Sequence, residues 1–162
     1  MARGPLLLLP RGVLALLREA ARHILHHPVV GVVAAARTPD GRWLLIRRAD
    51  TGTWAMPGGT LEWGETLTST LERELFEEAG AKLLRPGRLV GVYSRPDRDP
   101  RFHGVHVLVA CEVEVSPGAS INPLEVREVR LFDDKDVPKD LAMGQTDMIE
   151  AVRKLGGTPI LE

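Results

Sequence analysis

Apolar and polar positions change their period several times along the chain. Val13, Leu14, Leu17, Ala21, Ile24 and Leu25 recur at i, i+3 and i+4 spacing, which predicts an amphipathic helix over about residues 10–26. The run "PVVGVVAAAR" (28–37) is continuously apolar, as a strand buried on both faces requires. "TPDG" (38–41) supplies a turn, and "RWLLIRR" (42–48) returns, so the pair reads as a hairpin. "ADTGTWAMPGG" reads as a loop with one short extended piece. A helical period resumes over about residues 66–79, with Gly80 as its left-handed stop. "RLVGVYSR" (88–95), "HGVHVLVACEVEV" (103–115) and "EVREVRLFD" (125–133) read as strands, the first two joined by the polar, proline-rich "PDRDPRF". "TDMIEAVRKLGG" (146–157) closes the chain as a helix, capped by Thr146 or a neighbour and ended by Gly156. Strands and helices in this mixed order predict an α/β fold, a mixed sheet with helices on both faces. The division expected is an N-terminal helical extension, residues 1–27, and one domain, residues 28–162.

Composition narrows the classes. A length of 162 residues with 44% apolar and 27% charged content suits one globular domain with a full core. Lys plus Arg number 21 against 22 Asp plus Glu, so bulk charge draws the chain to neither nucleic acid nor an anionic membrane. The single cysteine, Cys111, excludes an intramolecular disulfide and fits a reducing cytoplasm. It lies within "VHVLVACEV" and reads as a packed core thiol. The first residues, "MARGPLLLLP", begin like a secretory signal, but the apolar run stops at Pro10 and Arg11, and Arg18, Glu19 and Arg22 interrupt the next stretch. No secretory signal and no membrane span of ~20 apolar residues are expected. The N-terminal helix is expected to pack on the domain or on a second subunit.

One segment resists a purely structural reading. Glu74, Glu77 and Glu78 occupy the last two turns of the helix in "GETLTSTLERELFEEAG". That end is already negative from its carbonyl dipoles. Like charges three and four residues apart repel by roughly 0.2–0.5 kcal/mol per pair. The three carboxylates share an arc of about 100°, beside an arc of Leu67, Leu71, Leu75 and Ala79 that suits burial. Carboxylates converging at the edge of a packed face suit a hard divalent cation such as Mg²⁺, whose shell substrate phosphates often complete. A solvated acidic face is the alternative that the helix alone leaves open.

The surrounding spacing resembles the Nudix hydrolase box. From Gly59 the chain runs through five residues to Glu65, through seven more to Arg73, and on as "RELFEEAGA", with "WAMPGG" leading in. Every fixed position of the box is present. The resemblance implies an αβα Nudix sandwich and hydrolysis of a nucleoside diphosphate linked to another group. It implies Glu74, Glu77 and Glu78 as ligands of Mg²⁺, with Mn²⁺ able to substitute. Arg73 would orient Glu74, Glu65 would assist through water or metal, and Gly58 and Gly59 would let the backbone approach metal or phosphate. The metal would neutralise phosphate charge and acidify a water. Glu125, just before a late strand, is the first candidate for the base and Glu128 the second.

The placement of Pro96 and the "DRDPR" run resemble the ADP-ribose and nucleotide-sugar pyrophosphatases of this family. Arg47, Arg48, Arg95, Arg98 and Arg101 are available for phosphates, since guanidinium forks match phosphate oxygens. Trp43, Trp54 and Trp63 are available for stacking, though packing is the plainer reading. His103 and His106 read as surface or core residues rather than a metal pair. A house-cleaning hydrolase of (d)NTPs and a non-catalytic nucleotide sensor remain open alternatives. A weaker one is RNA-end hydrolysis, since no basic stripe with aromatic platforms is evident. A homodimer is expected by resemblance.

Overall fold

The computed structural model describes residues 11–25, 27–116, 121–154 and 158–162. Helix α1 (Arg11–Leu25) precedes the sheet. At the centre, β1 (Val29–Arg37) runs parallel to β6 (Gly104–Val115), from Val29 beside Gly104 to Arg37 beside Glu112. Parallel neighbours need a long crossover, and this one contains α2 (Leu67–Ala79) and β5 (Ala81–Tyr93). β5 pairs antiparallel with β6, and β8 (Ile160–Leu161) adds in parallel to β5. On the other side, β2 (Trp43–Arg48) pairs with β1 only where Arg37 meets Trp43, and carries β7 (Val126–Phe132) along its far edge. β1 and β2 then part. Into the gap come two short strands, β3 (Trp54–Ala55) on β2 and β4 (Gly58–Thr60) on β1. The candidate site lies in this split.

Both faces of the sheet are covered, which explains the unbroken apolar run of β1. Val32, Ala34 and Ala36 point into one core with Leu71, Leu75 and Ala79 of α2. Val33 and Ala35 point into the other with Met148, Ile149 and Val152 of α3 (Gln145–Arg153). Each fully buried Leu or Ile contributes about 1.5–3 kcal/mol, so the two cores clamp the sheet and hold α2 in register. Leu67, expected in the buried arc, is exposed. Thr70 is buried in its place, its hydroxyl donating to Glu65 and to the Thr66 carbonyl.

Several expected boundaries move. β5 starts at Ala81, immediately after the helix stop, because Gly80 (φ 57°) turns the chain straight onto Val115 of β6. Register shifts between Leu83 and Arg88 break its alternation, which hides its first half from a sequence reading. β4 and β8 are strands too short to carry a period. α3 begins at Gln145 behind Gly144 with no side-chain cap; the Thr146 hydroxyl instead donates to the Lys139 carbonyl. Gly156 lies outside the described residues, as do residues 10 and 26. Val13, Leu17 and Ala21 of α1 are exposed and Leu14 is half-buried; the side chains of Ile24 and Leu25 lie outside the described ones. No helix among the described residues is long and apolar enough to cross a membrane.

The tryptophans are accounted for differently from one another. Trp43 is fully buried with its indole N–H donating to Asp134 at 2.8 Å, and Trp54 sits edge-on to Phe132 at 4.9 Å. Trp63 is fully exposed. Burial pushes the Cys111 thiol up to about 12, so at neutral pH it is an inert packed thiol rather than a nucleophile.

Candidate active site

Helix α2 is fixed at both ends. Thr66 and Ser69 exchange side chain-to-backbone bonds across its first turn, at 2.9 and 3.1 Å, and Gly80 closes its last turn in the left-handed conformation. This sets the rotation that carries Glu74, Glu77 and Glu78 to the split in the sheet. Their mutual repulsion is offset by one guanidinium. Arg73 donates to Glu65 through Nε at 2.8 Å and Nη2 at 3.0 Å, and to Glu74 and Glu77 through Nη1 at 2.8 and 3.3 Å. Nη2 also reaches the Thr60 carbonyl of β4 at 3.2 Å. Arg73, first of all, holds the Glu65 carboxyl down to about 2, with the Glu62 N–H helping.

Glu78 is in the opposite condition. Burial pushes its carboxyl up to about 8, and the charges of Glu74 and Glu125 add to the effect. The Gly58 N–H donates to its Oε2 at 2.8 Å, and Arg48 is the cation whose charge pulls the other way. Burial raises Glu74 as well, against the pull of Arg73. The two glycines are required by contact: a Cβ on Gly59 would overlap the Glu74 carboxylate, and one on Gly58 the Val32 carbonyl.

This donor set fits a divalent metal. It is all carboxylate oxygen, it is partly desolvated, and its charges raise one another's pKa, which a hard cation would relieve. Among the described residues, no three acidic, histidine or cysteine side chains already stand in a metal-ligating arrangement. Arg73 holds Glu74 and Glu77 on one side, and Gly58 holds Glu78 on the other.

A cleft of about 180 Å³ opens beside the carboxylates, lined by residues of both cores. Glu78, Gly58 and Arg48 line it together with Arg101, His106 and Met143. Arg48 is held by Asp50 through Nε at 2.9 Å and Nη2 at 2.6 Å. Arg47 is its neighbour on β2 and so points to the opposite face. It donates to the Gly52 carbonyl at 3.0 Å, pairs with Glu128 and stays outside the cleft. That also removes Glu128, the second candidate base, from the carboxylate cluster. Glu125 is exposed, and its charge is felt by both Glu74 and Glu78. Arg95 and Pro96, expected at the substrate, are exposed and outside the cleft, Arg95 pairing with Asp97 and Glu162. Arg98 is buried between Asp147 and Glu162 with its guanidinium over Tyr93, a structural ion cluster rather than a phosphate arm.

Four contributors escape the sequence reading. Asp99 is fully buried and accepts from the Arg101 backbone N–H and Nε, each at 2.9 Å, and from Nη2 at 2.7 Å. The Asp-Pro-Arg tripeptide is the available signal, a local side-chain turn locked by proline. Buried Gln145 accepts the Met56 N–H at 2.8 Å and fixes the strand leading to Gly58. Met143 holds a left-handed backbone (φ 54°), the lone non-glycine to do so among the described residues. His106, an ordinary histidine by sequence, lines the cleft with its Nε2 buried and without a hydrogen-bond partner. Burial lowers its pKa, which keeps the ring neutral. His103 turns away to the Ser94 carbonyl, so the two histidines form no pair.

A family model described as the NUDIX domain matches residues 25–152. The chain is 36% identical over 119 residues to an ADP-ribose pyrophosphatase of Methanocaldococcus jannaschii, covering 70% of this chain and 66% of that protein. It is 43% identical over 81 residues to a MutT-like protein of Streptomyces ambofaciens, 50% of this chain and 51% of that one. The chain thus spans about half to two thirds of the length of these relatives. Among solved structures, a MutT NUDIX hydrolase from Burkholderia pseudomallei superposes with a TM-score of 0.66 at 28% identity, covering 80% of this chain and 99% of that one. The NUDIX domain of Shewanella oneidensis NrtR, complexed with ADP ribose, superposes at 0.70 over 90% of this chain and 98% of that one; its 22% identity speaks to fold alone. A match spanning most of the sequence, on a fold that carries the box at the split in its sheet, places the chain in the Nudix hydrolase family.

Proposed function

We propose that the chain hydrolyses the pyrophosphate bond of a nucleoside diphosphate linked to a further group, with ADP-ribose or a nucleotide sugar as substrate and Mg²⁺ as cofactor, Mn²⁺ substituting. One observation carries the reading. Two partly buried, mutually repelling carboxylates, Glu74 and Glu78, are tied to Arg73 and the Gly58 N–H at the rim of a cleft that also presents Arg48 and Arg101. The likeness to the Methanocaldococcus pyrophosphatase supports the substrate class.

Glu74, Glu77 and Glu78 would hold the metal, which when bound neutralises diphosphate charge and acidifies water. The chain's own residues supply position. Arg73 fixes the carboxylates of Glu74 and Glu77, and Glu65 fixes Arg73 in turn. Gly58 orients Glu78, and Gly59 leaves room for Glu74. The Glu125 carboxylate, exposed beside the cluster, accepts the proton of the attacking water. Water adds to one phosphorus, the bridging P–O bond breaks, and two monophosphates leave.

The MutT-like relative favours a second reading, hydrolysis of (d)NTPs to monophosphate and pyrophosphate. The complete carboxylate set counts against a non-catalytic sensor. A panel of ADP-ribose, sugar nucleotides and dNTPs, incubated with Mg²⁺ in ¹⁸O-labelled water, separates them. AMP and ribose 5-phosphate as the fastest-formed products are expected. Pyrophosphate release from dNTPs as the faster reaction would favour the second reading, and no turnover on any member would sink both. A cytoplasmic homodimer completes the proposal. Exposed Val13, Leu16 and Leu17 on α1 support association with a second copy. Light scattering of the chain with and without residues 1–26 is expected to show dimer and monomer; an unchanged dimer would remove α1 from the interface.

A further inference from the structure

We propose that Arg48 and Arg101 form a two-armed clamp for the substrate's diphosphate, and that Asp50 is a resident anion which the diphosphate displaces. The inference rests on the proposed function, in which the ligand is a diphosphate ester. Arg48 comes from the end of β2 and Arg101 from the loop before β6, and both line the cleft. Their guanidinium groups converge on one carboxylate. Asp50 accepts both Nε and Nη2 of Arg48 at 2.9 and 2.6 Å, and its Oδ2 lies 3.7 Å from Nη1 of Arg101. A carboxylate and a phosphate present guanidinium with the same pair of oxygens. Two guanidinium groups able to share a carboxylate can therefore share a phosphate.

Arg101 is built for this position. Asp99, fully buried, takes its Nε and Nη2 in a bidentate bond and also accepts its backbone N–H. The Phe102 ring lies 5.3 Å from the guanidinium, and the Met143 sulfur lies 3.7 Å from Nη2. Nη1 is the arm that Asp99 does not occupy, and it is the atom that faces Asp50. A buried carboxylate that holds a half-exposed arginine is a positioning device, since burial alone would penalise Asp99. Asp50 differs: it is half-exposed on a short loop, with the Thr51 N–H donating to it at 2.7 Å. It stands where it can yield.

The arrangement has a consequence for selectivity. Two cations alone at a cleft mouth repel, and one carboxylate between them relieves that. A ligand must then offer more negative charge than Asp50 does. A diphosphate meets the condition, and a monophosphate product meets it less well, which favours release after the bond breaks. A local Arg48–Asp50 ion pair on an exposed turn would do none of this, and removing its charge would leave ADP binding unchanged.

The experiment titrates ADP into the full-length chain in EDTA, by calorimetry, so that neither metal nor turnover is needed. Asp50→Asn removes the charge while its carbonyl oxygen still accepts the Thr51 N–H, which preserves the turn. It is expected to tighten ADP binding about three- to tenfold, with the gain shrinking at about 0.5 M salt. Arg101→Lys, which cannot reproduce the fork, is expected to weaken binding about fivefold and to reduce the gain from Asp50→Asn when the two are combined. Unchanged or weaker binding by Asp50→Asn would overturn the clamp, as would a full gain persisting in the Arg101→Lys background. Tighter ADP binding without hydrolysis of the panel would keep the clamp and sink the proposed reaction. Hydrolysis of the panel with an unresponsive Asp50→Asn would do the reverse.

Discussion

Glu78→Gln is expected to cut Mg²⁺-dependent turnover by roughly three orders of magnitude while raising the melting temperature of the metal-free protein. The two effects have one cause. Burial lifts the Glu78 carboxyl from an ordinary 4.5 up to about 8 in the folded state. A raised folded pKa means that the native chain binds a proton which the unfolded chain releases. The contribution of Glu78 to stability is thus complete below about pH 4.5 and is lost as pH rises towards 8. At pH 7 the loss is on the order of 3 kcal/mol. Glutamine has the same size, its Oε1 still accepts the Gly58 N–H, and it does not titrate. Melting curves in EDTA should therefore coincide for both proteins near pH 4 and diverge in favour of the variant by pH 8. Added Mg²⁺ should reverse the order, stabilising the wild type by mass action and the variant little. A variant keeping a third of wild-type activity would remove Glu78 from the metal-binding role, and one less stable at pH 8 in EDTA would overturn the cost of its buried charge.

The reach of sequence reasoning depends on where each signal is stored. β1 is legible because burial on both faces writes itself as an unbroken apolar run. The carboxylate cluster of α2 is legible because helical spacing and the box both act within 23 residues of chain. The offset to its repulsion is legible only by resemblance, since Arg73 works through Glu65 and the Thr60 carbonyl, which the helix does not contain. Alternation says that Arg47 and Arg48 face opposite ways but not which one meets the cleft. That choice depends on β7 lying beyond β2 and bringing Glu128 to Arg47. Arg98 and Arg101 are three residues apart and equally basic on paper. Tertiary structure makes one a buried strut between Asp147 and Glu162, and the other an arm over the cleft. The first half of β5 stays hidden because its register shifts erase the period that identifies a strand.

The cluster's dependence on a single guanidinium leads to the second large effect. Arg73→Ala is expected to lower kcat about a hundredfold, because carboxylates displaced by about an ångström lose their productive geometry. Arg73 serves Glu65, Glu74, Glu77 and the Thr60 carbonyl at once, through a planar fork. A lysine ammonium is a point charge with three donors and cannot span that set, so Arg73→Lys should recover no more than about a tenth of the loss. If only charge mattered, lysine would restore activity. A stability signature accompanies the kinetic one. Arg73 holds Glu65 down to about 2 in the folded state, so that stabilisation is present above the ordinary glutamate pKa near 4.5 and is lost as pH falls towards 2. The wild type should therefore melt above Arg73→Ala at pH 7, with the gap narrowed at pH 3. Scanning calorimetry at both values, beside initial rates at saturating substrate, reads both effects on the same samples. Full activity in Arg73→Lys, or a gap that does not change with pH, would show that the carboxylates hold their places without the fork. Their order would then have to come from the glycine contacts and the caps of α2 alone.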